Sequence, residues 1–184
     1  MTGDPLDAYF DRPWRVARKL ETGRTVVAPG EAERIQAFER GEPRPVRSVR
    51  TTPYLARVAV TTVTEGRVWE RIRLHDRTLT PYQRYGIPGL IESQAAGEII
   101  SVVVRAADLS GDELREDFWW FDPGQPGEFG IALDYDPAGV YLGAREVTDE
   151  VTLDRYADDW DLASRRSVSL NEYLASTGLA TRVA

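Results

Sequence analysis

Apolar residues along this chain recur at two spacings. Recurrence at every second position predicts strands, and recurrence at every third or fourth predicts helices. Residues 14–22 predict a strand, with Trp14, Val16 and Leu20 on one face and Arg15 and Lys19 on the other. Pro29-Gly30 opens a short helix to about Arg40, with Ala32, Ile35 and Phe38 as its apolar side. Glu31 and Glu33 suit its positive end, and Gly41 stops it. Thr52-Pro53 reads as the start of a second helix, a cap residue followed by proline at the first helical position. Leu55, Val58, Ala59, Thr62 and Val63 follow at helical spacing, and Glu65-Gly66 ends the run. A strand is predicted from Arg67 to Leu74. A third helix is predicted from about Thr80 to Ala96, interrupted by Gly86, Pro88 and Gly89.

Residues 98–105 are apolar on both faces, the pattern of a covered central strand. Asp117 to Asp122 is another strand, with Phe118 and Trp120 on one side and Trp119 and Phe121 on the other. Phe129, Ile131, Leu133 and Tyr135 alternate, Asp136 to Gly139 supplies a turn, and Val140 to Val147 returns as the second arm of a hairpin. Leu153, Tyr156, Ala157 and Trp160 predict a long helix, and Leu170 to Ala175 a shorter one. No repeat or linker divides the chain. The expectation for residues 1–184 is a single α+β domain, with a mixed, mostly antiparallel sheet of about six strands and helices packed on it.

Composition narrows the chemistry. The 184 residues contain no cysteine and one histidine, His75. This excludes disulfides, thiolate metal sites, a cysteine nucleophile and any mechanism needing two imidazoles. No stretch approaches the roughly 20 apolar residues of a membrane helix, and the N-terminal residues lack the basic and apolar regions of a signal peptide. The expectation is a cytoplasmic protein without membrane association. The net charge of −7 is unevenly spread. Residues 1–105 carry 17 basic and 13 acidic groups, a net of +4, whereas residues 106–184 carry 6 and 17, a net of −11. Nine arginines fall in residues 44–84 alone. Such halves either neutralise each other within one fold or attract outside partners of opposite charge.

Familiar catalytic motifs are absent. There is no phosphate loop, dinucleotide fingerprint, HExxH or nucleophile elbow. A Ser-His-Asp triad would have to use His75, and no serine is marked as its partner. Asp134 and Asp136 resemble the start of a calcium loop, but position twelve is Arg145, so the turn reading fits better and no metal site is expected. The pattern calls for no cofactor.

The strand VWERIRLH is the most informative segment. Glu70 shares a face with Val68, Ile72 and Leu74. A carboxylate among apolar side chains needs a cation or must stay protonated. Glu70 therefore reads either as half of an ion pair, with Arg18 or Arg84, or as a pocket carboxylate acting as base or ligand contact. The opposite face carries Trp69, Arg71, Arg73 and His75, an arrangement able to hold phosphates or stacked rings. Tyr82, Arg84 and Tyr85 follow just beyond. Nucleic acid is the less favoured ligand, because the chain is acidic and shows no RRM or KH signature. Asp154, Asp158, Asp159 and Asp161 form an acidic run on the long C-terminal helix, a surface suited to a basic partner.

These segments occur in a telling order: KLETG at 19–23, AERIQAFERGEP at 32–43, EGRVWERIRL at 65–74, LTPYQRY at 79–85, EDFWWFD at 116–122 and YDPAGVYLGAREVTD at 135–149. Over about residues 16–175 the chain resembles an actinobacterial family known as domain of unknown function 6879. It departs from the family pattern at Thr52-Pro53-Tyr54 and carries an extra PGQPGE after the aromatic strand. The resemblance implies a gene neighbourhood of helix-turn-helix regulators, hence an accessory regulatory role, and carries over no catalytic residues. Two functional readings follow. One is a non-enzymatic regulatory or interaction protein whose acidic half engages a basic partner such as a DNA-binding regulator. The alternative is an enzyme or ligand-binding domain for a phosphorylated or nucleotide-like molecule, with Glu70 as the carboxylate and Arg71, Arg73 and Arg84 as anion contacts.

Overall fold

The structure is a computed structural model that describes residues 6–24, 30–105, 114 and 116–179. Pro29, at the expected opening of the first predicted helix, lies outside the described residues. In chain order the elements are α1 (Asp7–Phe10), β1 (Val16–Glu21), α2 (Glu31–Glu39), α3 (Pro53–Glu65), β2 (Val68–His75), α4 (Pro81–Ala95) and β3 (Ile99–Val104). They continue with β4 (Asp117–Phe121), β5 (Phe129–Tyr135), β6 (Tyr141–Val147), α5 (Glu150–Arg166), β7 (Val168–Ser169) and α6 (Leu170–Thr177).

The seven strands form one sheet in the order β6-β5-β4-β1-β2-β3-β7. β1, β2 and β3 run parallel, joined by helical crossovers, and the other neighbours pair antiparallel. The sheet is therefore mixed and mostly antiparallel, as the element order predicts. The seventh strand is the two-residue β7, too short to leave an alternating pattern in the sequence.

The two faces of the sheet are covered differently. On one, Leu20, Ile72, Leu74, Phe118 and Trp120 pack against Leu153, Tyr156 and Trp160 of α5. Phe118 and Tyr156 stack with centroids 3.8 Å apart. The other face holds an aromatic cluster of Phe10, Trp14, Trp69, Trp119, Phe121 and Phe129 beneath α1 and α3. Beside it, α4 and α6 cover Ile100 and Val102 of β3.

Three local expectations change. β1 starts at Val16, so Trp14 precedes the strand and joins the aromatic layer, on the opposite side from Leu20. The buried stripe of α3 is Leu55, Val58 and Thr61, and Val63 is 84% exposed. α4 continues through Gly86, Pro88 and Gly89. A reciprocal cap between Thr80 and Gln83 starts it, Pro81 sits in its first turn, Ile87 and Leu90 hold it to the sheet, and Tyr85 packs on Phe38 of α2. Tertiary burial outweighs the helix-weakening residues here.

Asp122 is the one non-glycine residue with positive φ among those described, at 49°. Its Oδ1 accepts from the backbone N–H groups of Arg15 at 2.7 Å and Val16 at 2.9 Å. An aspartate tolerates this conformation and here satisfies the donors at the entry to β1.

Candidate functional site

Glu70 lies on the predicted face but is not enclosed. Its side chain is 27% exposed and accepts from Arg18 Nε at 2.9 Å. The two residues are direct neighbours across the parallel β1–β2 pairing. The packed layer beneath α5 takes in Ile72 and Leu74 but not Val68, so the cover thins out at Glu70. Arg18 closes the gap by lying over the rings of Trp120 and Trp160 at 5.5 and 5.1 Å. Glu70 does not line the cavity described below; of the two readings, the structure shows the ion pair, with Arg18 and partly exposed. Glu70→Gln is expected to cost about 1 kcal/mol or less in a urea unfolding experiment, the range of partly solvated pairs.

The buried charges lie on the opposite face. Glu98, just before β3, has a side chain fully removed from solvent. It accepts from Arg71 Nε at 2.8 Å, Arg71 Nη2 at 3.2 Å and the Tyr54 hydroxyl at 3.1 Å. Glu21, at the end of β1, is held by Lys19 at 2.7 Å, Arg71 at 3.0 Å and Arg73 at 3.3 Å. Burial pushes the Glu21 carboxyl up, yet its three cations together hold it well below the usual carboxylate range.

A second cluster sits on the segment between α2 and α3. Glu92 of α4 accepts from Arg44 Nη1 on both oxygens, at 2.9 and 3.0 Å, and from the backbone N–H and Nε of Arg47 at 2.9 and 3.0 Å. Arg47 also donates from Nη2 to the Gly89 carbonyl at 3.0 Å. Gly89 leaves room for these two guanidinium groups. A Cβ there would lie 2.6 Å from Arg47 Nη2 and 3.0 Å from Arg44 Nη2.

Between these clusters is a cavity of about 130 Å³. Arg71, Arg73, His75 and Glu21 form its sheet side, Tyr82, Tyr85, Gly86 and Gly89 its α4 side, and Arg44, Arg47 and Glu31 the remainder. Four guanidinium groups thus border one small space. Around it, the cations Lys19, Arg44, Arg47, Arg71 and Arg73 face the carboxylates Glu21, Glu31, Glu92 and Glu98, and buried Asp117 also acts on Arg73. Arg44 adds an unmet demand. Its side chain is 9% exposed, and its Nε is buried with no hydrogen-bond partner among the described residues.

His75 is 1% exposed, and its Nδ1 lies 2.9 Å from the Tyr173 hydroxyl. Burial, and then the charge of Arg73, lower its pKa to about 3. It is neutral at physiological pH and able to donate or accept one hydrogen bond. Burial pushes the Tyr82 phenol up to about 12 against the opposing pull of Arg73, so it stays a neutral hydroxyl. The arrangement suits holding an anion by charge-assisted hydrogen bonds. Among the described residues no group of three or more His, Asp or Glu is placed to hold a metal ion.

The other candidate residues fall as follows. Arg71, Arg73 and Tyr82 meet at the cavity. Trp69 is fully buried in the aromatic cluster, where its Nε1 donates to Thr61 Oγ1 at 3.0 Å, so it offers no surface to a ligand. Arg84 points out from α4, pairing with Glu39 and donating to the Leu79 carbonyl at 2.8 Å. Its position one residue before Tyr85 turns it from the cavity, because adjacent helix positions face different directions. Asp154, Asp158 and Asp161 are exposed on one stripe of α5, whereas Asp159 is half-buried. Burial raises the Asp159 carboxyl above the usual range.

The ion pairs of the basic part are made mostly with its own acids. Among the described residues, Arg12–Glu146 is the pair that joins residues 6–105 to the acidic part. Among the described residues the two halves thus share one ion pair, with buried Asp117 also acting on Arg73.

Sequence reasoning misses Arg44, Arg47, Glu92 and Glu98 as site residues. Arg44 and Arg47 lie in the irregular segment at 41–52, where no periodicity assigns a side. Glu98 stands at the end of an apolar run, where a charge usually marks the strand's exit to solvent. No helix among the described residues is long and apolar enough to cross a membrane. No curated protein and no solved structure matches the chain. The family described as Domain of unknown function (DUF6879) matches it over residues 4–175, and with nearly the whole sequence covered, the chain belongs to that family.

Proposed function

We propose that this chain acts as one domain, a non-enzymatic regulatory protein of the cytoplasm that responds to a small anionic ligand. The observation that carries this reading is the convergence of four guanidinium groups on a cavity of about 130 Å³. Forked guanidinium donors set around one space suit charge-assisted hydrogen bonds to an anion. His75, the one imidazole at the cavity, is held neutral far below its ordinary range and is a weak base near neutral pH. That favours binding over turnover.

The exposed aspartates support a partner-binding role beside the ligand site. Asp154, Asp158 and Asp161 recur along one side of α5 and make no ion pair among the described residues. Their partner would be a basic protein, such as the helix-turn-helix regulator of the actinobacterial gene neighbourhood that the family resemblance implies.

Thermal melting against a panel of small anions tests the ligand reading. Chloride, acetate, malonate, sulfate and phosphate are added singly at constant ionic strength. At least one polyatomic anion is expected to raise the melting temperature through binding to the native state. Equal melting in every salt would end this reading. Co-purification with the adjacent regulator tests the partner face, and replacing Asp154, Asp158 and Asp161 together with asparagine is expected to abolish it.

A further inference from the structure

We infer that the group held in the cavity is a phosphate, either free or at the end of a phosphomonoester; this rests on the anion-binding reading above. Three observations point the same way. The first is size. A cavity of about 130 Å³ has room for a few waters, and so for one small oxyanion.

The second is the direction of the donors. Arg73 approaches from the sheet, while Arg44 and Arg47 approach from the segment that crosses α4, and the Tyr82 hydroxyl belongs to α4 itself. A planar carboxylate presents two oxygens in one plane. A phosphate presents oxygens in three dimensions and can be met from several walls at once, which suits forked guanidinium donors.

The third is the unmet donor. Arg44 lines the cavity and is nine-tenths buried; its Nη1 is committed to Glu92, while its Nη2 makes no hydrogen bond among the described residues. A buried donor without a partner costs free energy that a ligand oxygen would recover. Glu21 does not repel such a ligand, because Lys19, Arg71 and Arg73 already hold its charge.

Gly89 provides the sharpest variant. In Gly89→Ala the added Cβ would meet the two guanidinium groups at 2.6 and 3.0 Å. These are ends of flexible side chains, so the helix survives and the arginines move. Alanine is also the better helix former, so loss of binding would not come from a weakened helix. Arg47→Gln is the second variant, chosen because Arg47 is 39% exposed and its loss leaves the core intact.

The experiment is isothermal titration of the full chain with inorganic phosphate, phenyl phosphate, sulfate, acetate and malonate. Phosphate or phenyl phosphate is expected to bind at least about tenfold more tightly than acetate or malonate, a difference of about 1.4 kcal/mol. Gly89→Ala and Arg47→Gln are each expected to weaken that binding about tenfold or more, with the unliganded melting temperature kept. Tighter phenyl phosphate marks a phosphorylated metabolite as the source, and tighter inorganic phosphate marks the free ion. Carboxylates binding as well as phosphate would overturn the phosphate assignment while leaving the anion site standing. Wild-type affinity in both variants would overturn the location. Absence of binding by every anion would overturn the anion-binding reading itself.

Discussion

Replacing Glu98 with alanine is expected to lower the unfolding free energy by about 3–5 kcal/mol, the cost of breaking a buried ion pair from one side. Glu98 is enclosed, and its two oxygens accept three hydrogen bonds from Arg71 and Tyr54. Its removal leaves the Arg71 side chain, 11% exposed, with Glu21 as its remaining carboxylate. The side that Glu98 vacates is closed to solvent, so the penalty is that of a largely buried, half-paired cation. Urea unfolding of Glu98→Ala beside Glu70→Gln is the direct measurement. The contrast between the two carboxylates is the informative part, since one is fully covered and the other is screened by water. Equal losses in the two variants would show that burial does not separate them. The double variant Arg71→Met with Glu98→Leu is expected to recover part of the loss, because removing both charges also removes the desolvation cost.

His75 is expected to make the protein acid-sensitive from about pH 6.5 downward. In the unfolded chain the imidazole takes a proton near its ordinary value of 6.5. In the folded chain burial and Arg73 lower that value to about 3. Between these two values the unfolded state binds the extra proton. The stabilisation is therefore complete above about pH 6.5 and is lost as pH falls, at a slope approaching about 1.4 kcal/mol per pH unit. Below about pH 4.5, carboxylates with depressed folded values add to the same trend. Burial opposes that depression in Glu21 and Glu92, but the surrounding arginines, joined at Glu21 by Lys19, outweigh it. Their contribution is present above the unfolded carboxylate value and disappears as pH falls through the folded one. Because the chain has a single histidine, the window from pH 6.5 to 5 isolates one group. Urea unfolding across that window is expected to show the slope in the wild type and a flat profile in His75→Gln. A slope that survives the substitution would assign it to another group.

The fold was largely legible in the sequence, and the site only in part. Phe118 to Phe121 announces a strand covered on both sides, and the two aromatic pairs do enter opposite layers. Leu153, Tyr156 and Trp160 likewise announce the buried stripe of α5. In both cases a long apolar run leaves one way to remove its surface from water. Glu70 shows where the same logic stops. A position on an apolar face was read as a buried position, but the cover over that face ends short of it. Arg71, Arg73 and Tyr82 were identifiable as charged or aromatic residues near one strand end, while their counterparts Arg44, Arg47 and Glu92 were not. Those arginines lie 48 and 45 residues from Glu92 in a segment without periodic structure.

What the sequence determined by itself was the alternation of strands and helices, the α+β class, the faces of the aromatic strand and the restriction of chemistry to carboxylates, arginines, tyrosines and one imidazole. Periodicity and composition carry these because they depend on near neighbours in the chain. Only the tertiary structure decided which carboxylates are enclosed, that Glu98 and not Glu70 is the buried partner, and that four arginines border one cavity. Burial depends on how far each helix extends over the sheet, and a site of charged groups depends on contacts between distant segments. Neither quantity leaves a period in the sequence.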